Sequence, residues 1–156
     1  MYTPPPALAT PAPVVMRLQT DKKTYVRGDR VGLQIVITNV AAVPTTISEI
    51  AQGAPEHESE VLITRPDGTT KACTRPNDGT LLSISGMYRS IEPGKDFLEP
   101  ASGFRPLAKW GCVADTIGTY TLKLRRKFLD GYSGRFFFLV TPPVEIRVVD
   151  SKSDKD

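Results

Sequence analysis

Apolar and polar residues alternate along most of the chain with a period of two, the spacing of strands that bury one face. Val14, Met16 and Leu18 alternate with Val15, Arg17 and Gln19, so one side of this first segment is apolar. The strongest signal follows: Val31, Leu33, Ile35 and Ile37 share one side, while Gly32, Gln34, Val36 and Thr38 share the other. Tyr120, Leu122 and Leu124 alternate with Thr119, Thr121, Lys123 and Arg125 in the same way, and Val144, Ile146 and Val148 form a closing strand. Glu60–Thr64 and residues 69–74 flank Arg65-Pro66-Asp67-Gly68, where Pro presets φ and Gly accepts a positive one, so a hairpin is expected. Shorter strands are expected at 45–50, 81–84, 87–91, 97–98 and 135–140, with residues 99–114 as a long loop. Apolar spacing of helical type never runs past about eight residues without a Gly or Pro. Seven or more short strands with a turn every ten or so residues predict an all-β, two-sheet antiparallel sandwich with extended loops.

Composition agrees with a chain that turns often: 14 Pro and 12 Gly make up one residue in six of 156. Length predicts one domain. Residues 14–149 are assigned to the sandwich, residues 1–13 to a Pro-rich leader or linker with five prolines and no charge, and residues 150–156 to a charged, frayed tail. A net charge of +3 does not favour nucleic acid as a partner, and no apolar run is long enough to span a membrane. Cys73 and Cys112 lack the CxxC or Cys/His spacing of a zinc site, so no metal and no cofactor is expected. Their pairing is left open by the sequence. A disulfide would argue for an oxidising compartment. Ala7-Leu8-Ala9 has the small-x-small form of a signal-peptidase site, yet no basic or apolar region precedes it. Export, to the periplasm or beyond, is the expectation, with a cytoplasmic residence as the alternative.

Asp115-Thr-Ile-Gly118-Thr-Tyr120-Thr-Leu122 resembles the D-x-G-x-Y-x-C region of immunoglobulin-type domains. That resemblance implies a tyrosine corner at Tyr120. The family's second cysteine would fall at Leu122 and the strand at 31–37 holds none, so its inter-sheet bridge is missing. Asp21-Lys-Lys-Thr-Tyr25-Val-Arg-Gly28-Asp29-Arg-Val31 is similar to the opening of macroglobulin-type sandwich domains. Together with Asn39, Pro66-Asp67-Gly68 and Pro93-Gly94, the same region resembles the bacterial proteinase inhibitors typified by BsuPI. These motifs are turn glycines and core apolars, which speak for architecture and carry no activity.

Candidate chemistry is sparse. His57, within Glu56-His57-Glu58, reads as a solvated loop residue, and neither a G-x-S-x-G elbow nor a glycine-rich phosphate loop exists. No enzyme is expected. Lys123, Arg125 and Lys127 share one side of a strand and read as a wet sheet face offset by Glu145, with Arg126 opposite them near the sheet's end. Phe104, Arg105, Lys109, Trp110 and Tyr132 are the candidate binding residues, because loops at one end of a sandwich carry recognition and Trp, Tyr and Arg dominate interfaces. Trp110 has a rival role as a cap on the core. The expectation is a bacterial, non-catalytic immunoglobulin-like binding or accessory module for a protein partner. The alternative is a BsuPI-like inhibitor presenting Arg89, Arg105 or Lys109 to a protease.

Overall fold

A computed structural model describes residues 14–48, 59–74, 88–129 and 136–150 of the chain. Their strands are β1 (Val14–Thr20), β2 (Thr24–Val26), β3 (Gly32–Asn39), β4 (Thr45–Ser48), β5 (Ser59–Thr64), β6 (Thr70–Cys73), β7 (Tyr88–Ile91), β8 (Asp96–Glu99), β9 (Arg105–Pro106), β10 (Gly118–Leu129), β11 (Phe136–Val140) and β12 (Val144–Val149). The expected strand at 81–84, the residues His57 and Tyr132, the leader at 1–13 and residues 151–156 lie outside the described residues.

Two sheets face one another. In the four-stranded sheet, β3 is central, with β1 antiparallel on one side and β8 and β9 in succession on the other. The six-stranded sheet runs β2-β12-β10-β5-β6, with β11 also on β10. The rows picked out by alternation meet between them: Val14, Met16, Leu18, Leu33, Ile35 and Ile37 from one sheet, Val61, Ile63, Tyr120, Leu122, Leu124, Ile146 and Val148 from the other. Burial of such aliphatic rows contributes about 25 cal/mol per Å², which makes this layer the main source of stability.

The architecture departs from the expected one in four places. First, β2 pairs parallel with β12, Tyr25 opposite Val148, so the sheets are not antiparallel throughout. Second, β4 and β7 form a separate two-stranded ladder. Buried Asn39 ties it to the end of β3, its amide donating to Ile91 O at 2.7 Å and Val43 O at 2.9 Å while Oδ1 accepts the Ala41 N–H at 2.7 Å. Third, β3 is buried on both faces, and the 100–104 segment lies against Gly32 and Gln34 of its outer row. Gln34 there donates to Pro100 O at 3.1 Å. Fourth, Asp150, the first residue assigned to the charged tail, forms an exposed ion pair with Arg27 at 3.0 Å.

Pro142-Pro143 marks a bulge. Between the pairs Leu122↔Val144 and Arg125↔Val140, β10 advances three residues and its partner four. Neither proline has an N–H to give the ladder, and one surplus residue lets the chain pass them. Thr141 closes the gap with both of its groups: its N–H donates to Leu124 O at 2.9 Å and its Oγ1 accepts the Leu124 N–H at 2.9 Å.

Candidate functional site

The segment from Pro100 to Ile117 is the long loop of the sandwich, and it is bound to both sheets. Arg105–Pro106 pairs with Gly32–Leu33 on the edge of the four-stranded sheet. Leu107 N–H then donates to Val31 O at 2.8 Å, and Leu107–Trp110 winds into one 3-10 turn. Gly111 ends that turn in the left-handed region (φ 77°), with its N–H on Ala108 O at 2.9 Å. A residue with a Cβ would be strained there.

Beyond the turn the loop attaches to the six-stranded sheet. Trp110 is 1% exposed, and its Nε1 donates to Ser59 Oγ on β5 at 2.7 Å. Cys112 is joined by a disulfide to Cys73 on β6, with Cα atoms 5.7 Å apart. The chain re-enters β10 through the tyrosine corner: buried Tyr120 accepts the Thr116 N–H on its hydroxyl at 2.9 Å. Five attachments to two different sheets leave this loop little freedom.

The opening motif supplies the opposing wall. Asp21 Oδ1 accepts the Gly32 N–H at 3.0 Å and the Tyr25 hydroxyl, whose oxygen in turn accepts the Lys22 N–H at 3.0 Å. Burial, and next the hydrogen bond to Asp21, push the Tyr25 phenol well above its usual range. Val26–Asp29 is a tight turn: Asp29 N–H donates to Val26 O at 2.8 Å, Asp29 Oδ2 accepts the Val26 N–H at 2.9 Å, and Gly28 takes φ 94°. Asp21, Tyr25, Gly28 and Asp29 of that motif thus all serve local geometry.

Between this turn and the loop lies a cleft of about 520 Å³. Val31, Leu107 and Cys112 lie buried beneath it, and Arg30, Lys109, Val113 and Asp115 stand exposed around it. Its volume falls in the range of small-molecule sites. Of the sequence-selected residues, Lys109 borders the cleft, while Phe104 (43% exposed) and half-buried Arg105 lie farther back on the same loop. Trp110 takes its rival role. Its indole is in the core and offers no surface, so it positions the loop and contacts no partner. Arg89 sits on β7, away from these residues in the sheet order.

Sequence reasoning missed Arg30, Val113 and Asp115. The Gly28-Asp29 turn signal was legible, but nothing local told that this turn would face residues 80 positions later along the chain. On the outer sheet face Lys123, Arg125 and Lys127 are exposed as expected, and Arg125 meets Glu60 at 3.0 Å and the Phe138 ring at 4.9 Å.

No family model matches the sequence, and no curated protein matches it. Solved structures do. The Northeast Structural Genomics Consortium target SoR45 is 14% identical, with 87% of each chain covered and a TM-score of 0.51. The protein is an all-β sandwich. At that identity the likeness speaks for the fold alone. A Bordetella pertussis structure solved under the name ApaA is 12% identical over 88% of this chain and 94% of its own, at a TM-score of 0.49. The sporulation control protein Spo0M from Bacillus subtilis is 10% identical over 88% of this chain and 49% of its own, at 0.44. Among the described residues, no helix is long and apolar enough to cross a membrane, and no group of three or more His, Cys, Asp or Glu side chains is placed to hold a metal.

Proposed function

We propose that the protein is a non-catalytic, immunoglobulin-like binding or accessory module, and that it recognises a protein partner through the cleft and the loop beside it. One observation carries this reading: a surface loop with exposed Phe104, Val113 and Ile117 is fastened to both sheets, by strand pairing at Arg105–Pro106 and by a disulfide at Cys112. A loop fixed in advance loses little conformational entropy on binding, which is where rigid recognition surfaces gain affinity. The cleft's titratable groups, Asp29, Arg30, Lys109 and Asp115, form no nucleophile–base pair, and Cys112 is committed to its disulfide. That disulfide also supports export, because such bonds persist in oxidising surroundings.

The BsuPI-like inhibitor is the second reading, and exposed Lys109 at the cleft is the side chain that favours it. It would serve a trypsin-like enzyme, although a 3-10 turn is not the extended loop such an enzyme accepts. Trypsin activity measured with and without micromolar protein separates the two: unchanged rates remove the inhibitor. The module itself is tested with a partner captured on the immobilised chain. Hydrogen exchange should show protection at residues 28–31 and 104–115, and Phe104→Ala with Lys109→Ala should weaken capture. Protection confined to other faces would overturn the site.

A further inference from the structure

β11 is an open edge of the six-stranded sheet. Arg125 and Arg126 of β10 pair with Glu60 and Ser59 of β5 on one side, and with Val140 and Leu139 of β11 on the other. Among the described residues no strand pairs with the far side of β11; β1 passes close by in the facing sheet and pairs with β3 alone. The Thr141 N–H points to Leu124 O of β10, and backbone groups along a strand turn alternately to its two sides. Those of Phe138 and Val140 therefore point to the open side. Their side chains are exposed on the outer face, Phe138 at 55% and Val140 at 49%. This edge also differs in chemistry from the others. It reads Phe136-Phe137-Phe138-Leu139-Val140, without the charge or proline that guards natural edges against pairing. β6, at the other end of the same sheet, has Lys71 in the row of core-facing Ile63. β1 has Arg17 at its midpoint, so two copies paired there would set arginine opposite arginine.

We propose that two copies of this chain associate through β11, antiparallel and edge to edge, joining their six-stranded sheets into one. With all five residues in register, Phe138 stands opposite Phe138 of the second copy and Val140 opposite its Phe136. That pairing adds about six main-chain hydrogen bonds and covers the exposed Phe138 and Val140. A second copy suits this edge because neither strand brings a charge to the seam. The cations beside the twofold axis are Lys127 of each β10, the ladder neighbour of Phe138. They stand three strand spacings apart, about 14 Å, beyond the Debye length of about 8 Å at physiological salt. A five-residue edge buries less than the roughly 1,200 Å² of a stable interface, so the dimer is weak, with a dissociation constant on the order of 10–100 µM.

Sedimentation velocity of the full chain, run from about 1 to about 500 µM, brackets that constant and reads the association directly. The weight-average coefficient should climb from monomer toward dimer and should not fall back as salt is raised. Phe138→Lys and Val140→Lys, each at an exposed position, should weaken association by about tenfold or more. Unchanged Trp110 emission and urea midpoint in dilute protein show that these variants are folded. Hydrogen exchange of the Phe138 and Val140 amides should slow in concentrated protein relative to dilute. A chain that stays monomeric throughout the range would overturn the proposal. So would a dimer that persists in both lysine variants, or one that protects only other amides. Protection of Phe138 and Val140 by an added Phe–Val peptide, in a chain that stays monomeric, would replace the second copy with a foreign strand.

Discussion

Arg126 Nη1 lies 2.7 Å from Glu99 Oε2, and this ion pair joins the two sheets inside the core, with the arginine side chain wholly excluded from solvent. Arg126 is on β10 and Glu99 on β8, so each sheet contributes one charge. Ser59 is the strand neighbour of Arg126 in the ladder, and its hydroxyl accepts the Trp110 indole. One end of the core is therefore a polar layer that also anchors the 100–117 loop through Trp110.

Removing one member of that pair leaves the other charged in a dry site, which costs about 3–5 kcal/mol. Arg126→Ala should accordingly lower the urea midpoint severely. Replacing both partners, as Arg126→Met with Glu99→Leu, should recover most of the loss, since apolar side chains of similar volume often serve as well. Equal destabilisation by the single and double variants would show that the pair's charge is not what matters.

The disulfide gives a second expectation. It closes a loop across a separation of 39 residues, for which the chain-entropy account gives about 4 kcal/mol. Cys73→Ser with Cys112→Ser should lose about that much stability in urea. Trp110 is the chain's sole tryptophan and lies two positions from Cys112, so its fluorescence reports whether the loop stays docked. Unchanged emission with reduced stability would separate the loop's local fixation, through Ser59, from the crosslink.

How much of this was legible depends on whether the determining contacts were local. Leu33, Ile35, Leu122 and Leu124 alternate over many residues, and period-two alternation is a property of a strand by itself. Tyr120 was likewise readable, because its hydrogen bond to Thr116 reaches back only four residues. Arg126 was placed on the correct side of its strand, yet its burial depended on Glu99 in another sheet, and sequence carries no mark of that encounter. The covered outer row of β3 has the same origin, since Pro100 and Phe104 come from a loop some 70 positions away. The cleft was the least legible feature. Three segments that are each an ordinary turn or loop become a site only when the fold brings them together.

Gly32 shows such an encounter at atomic scale. A Cβ built there would stand 2.7 Å from Phe104 Cβ, well inside ordinary van der Waals contact, and 3.1 Å from the Asp21 carboxyl carbon. Gly32→Ala should force the 103–106 segment away from β3 at a cost of about 1–3 kcal/mol. Gly28 and Gly68, which have open space around them, serve as controls in which only backbone strain is added. If Gly32→Ala proved neutral in thermal unfolding, Phe104 would have to be freer than its seat on β3 implies.

Tyr25 makes stability depend on alkaline pH. Its folded phenol is held above the ordinary value, chiefly by burial and then by its hydrogen bond to Asp21, so the folded state keeps a proton that the unfolded chain releases. The sign follows: the contribution is complete below the unfolded tyrosine value of about 10 and declines as pH rises beyond it. Urea midpoints taken between about pH 8 and 11 should therefore fall more steeply for the native chain than for Tyr25→Phe. The variant should itself be less stable at neutral pH, by about 1–2 kcal/mol, because Asp21 and the Lys22 N–H each lose a partner. Parallel alkaline slopes in the two proteins would mean that the Asp21–Tyr25 contact does not hold the phenol's proton, and the opening turn would then need another source for its rigidity.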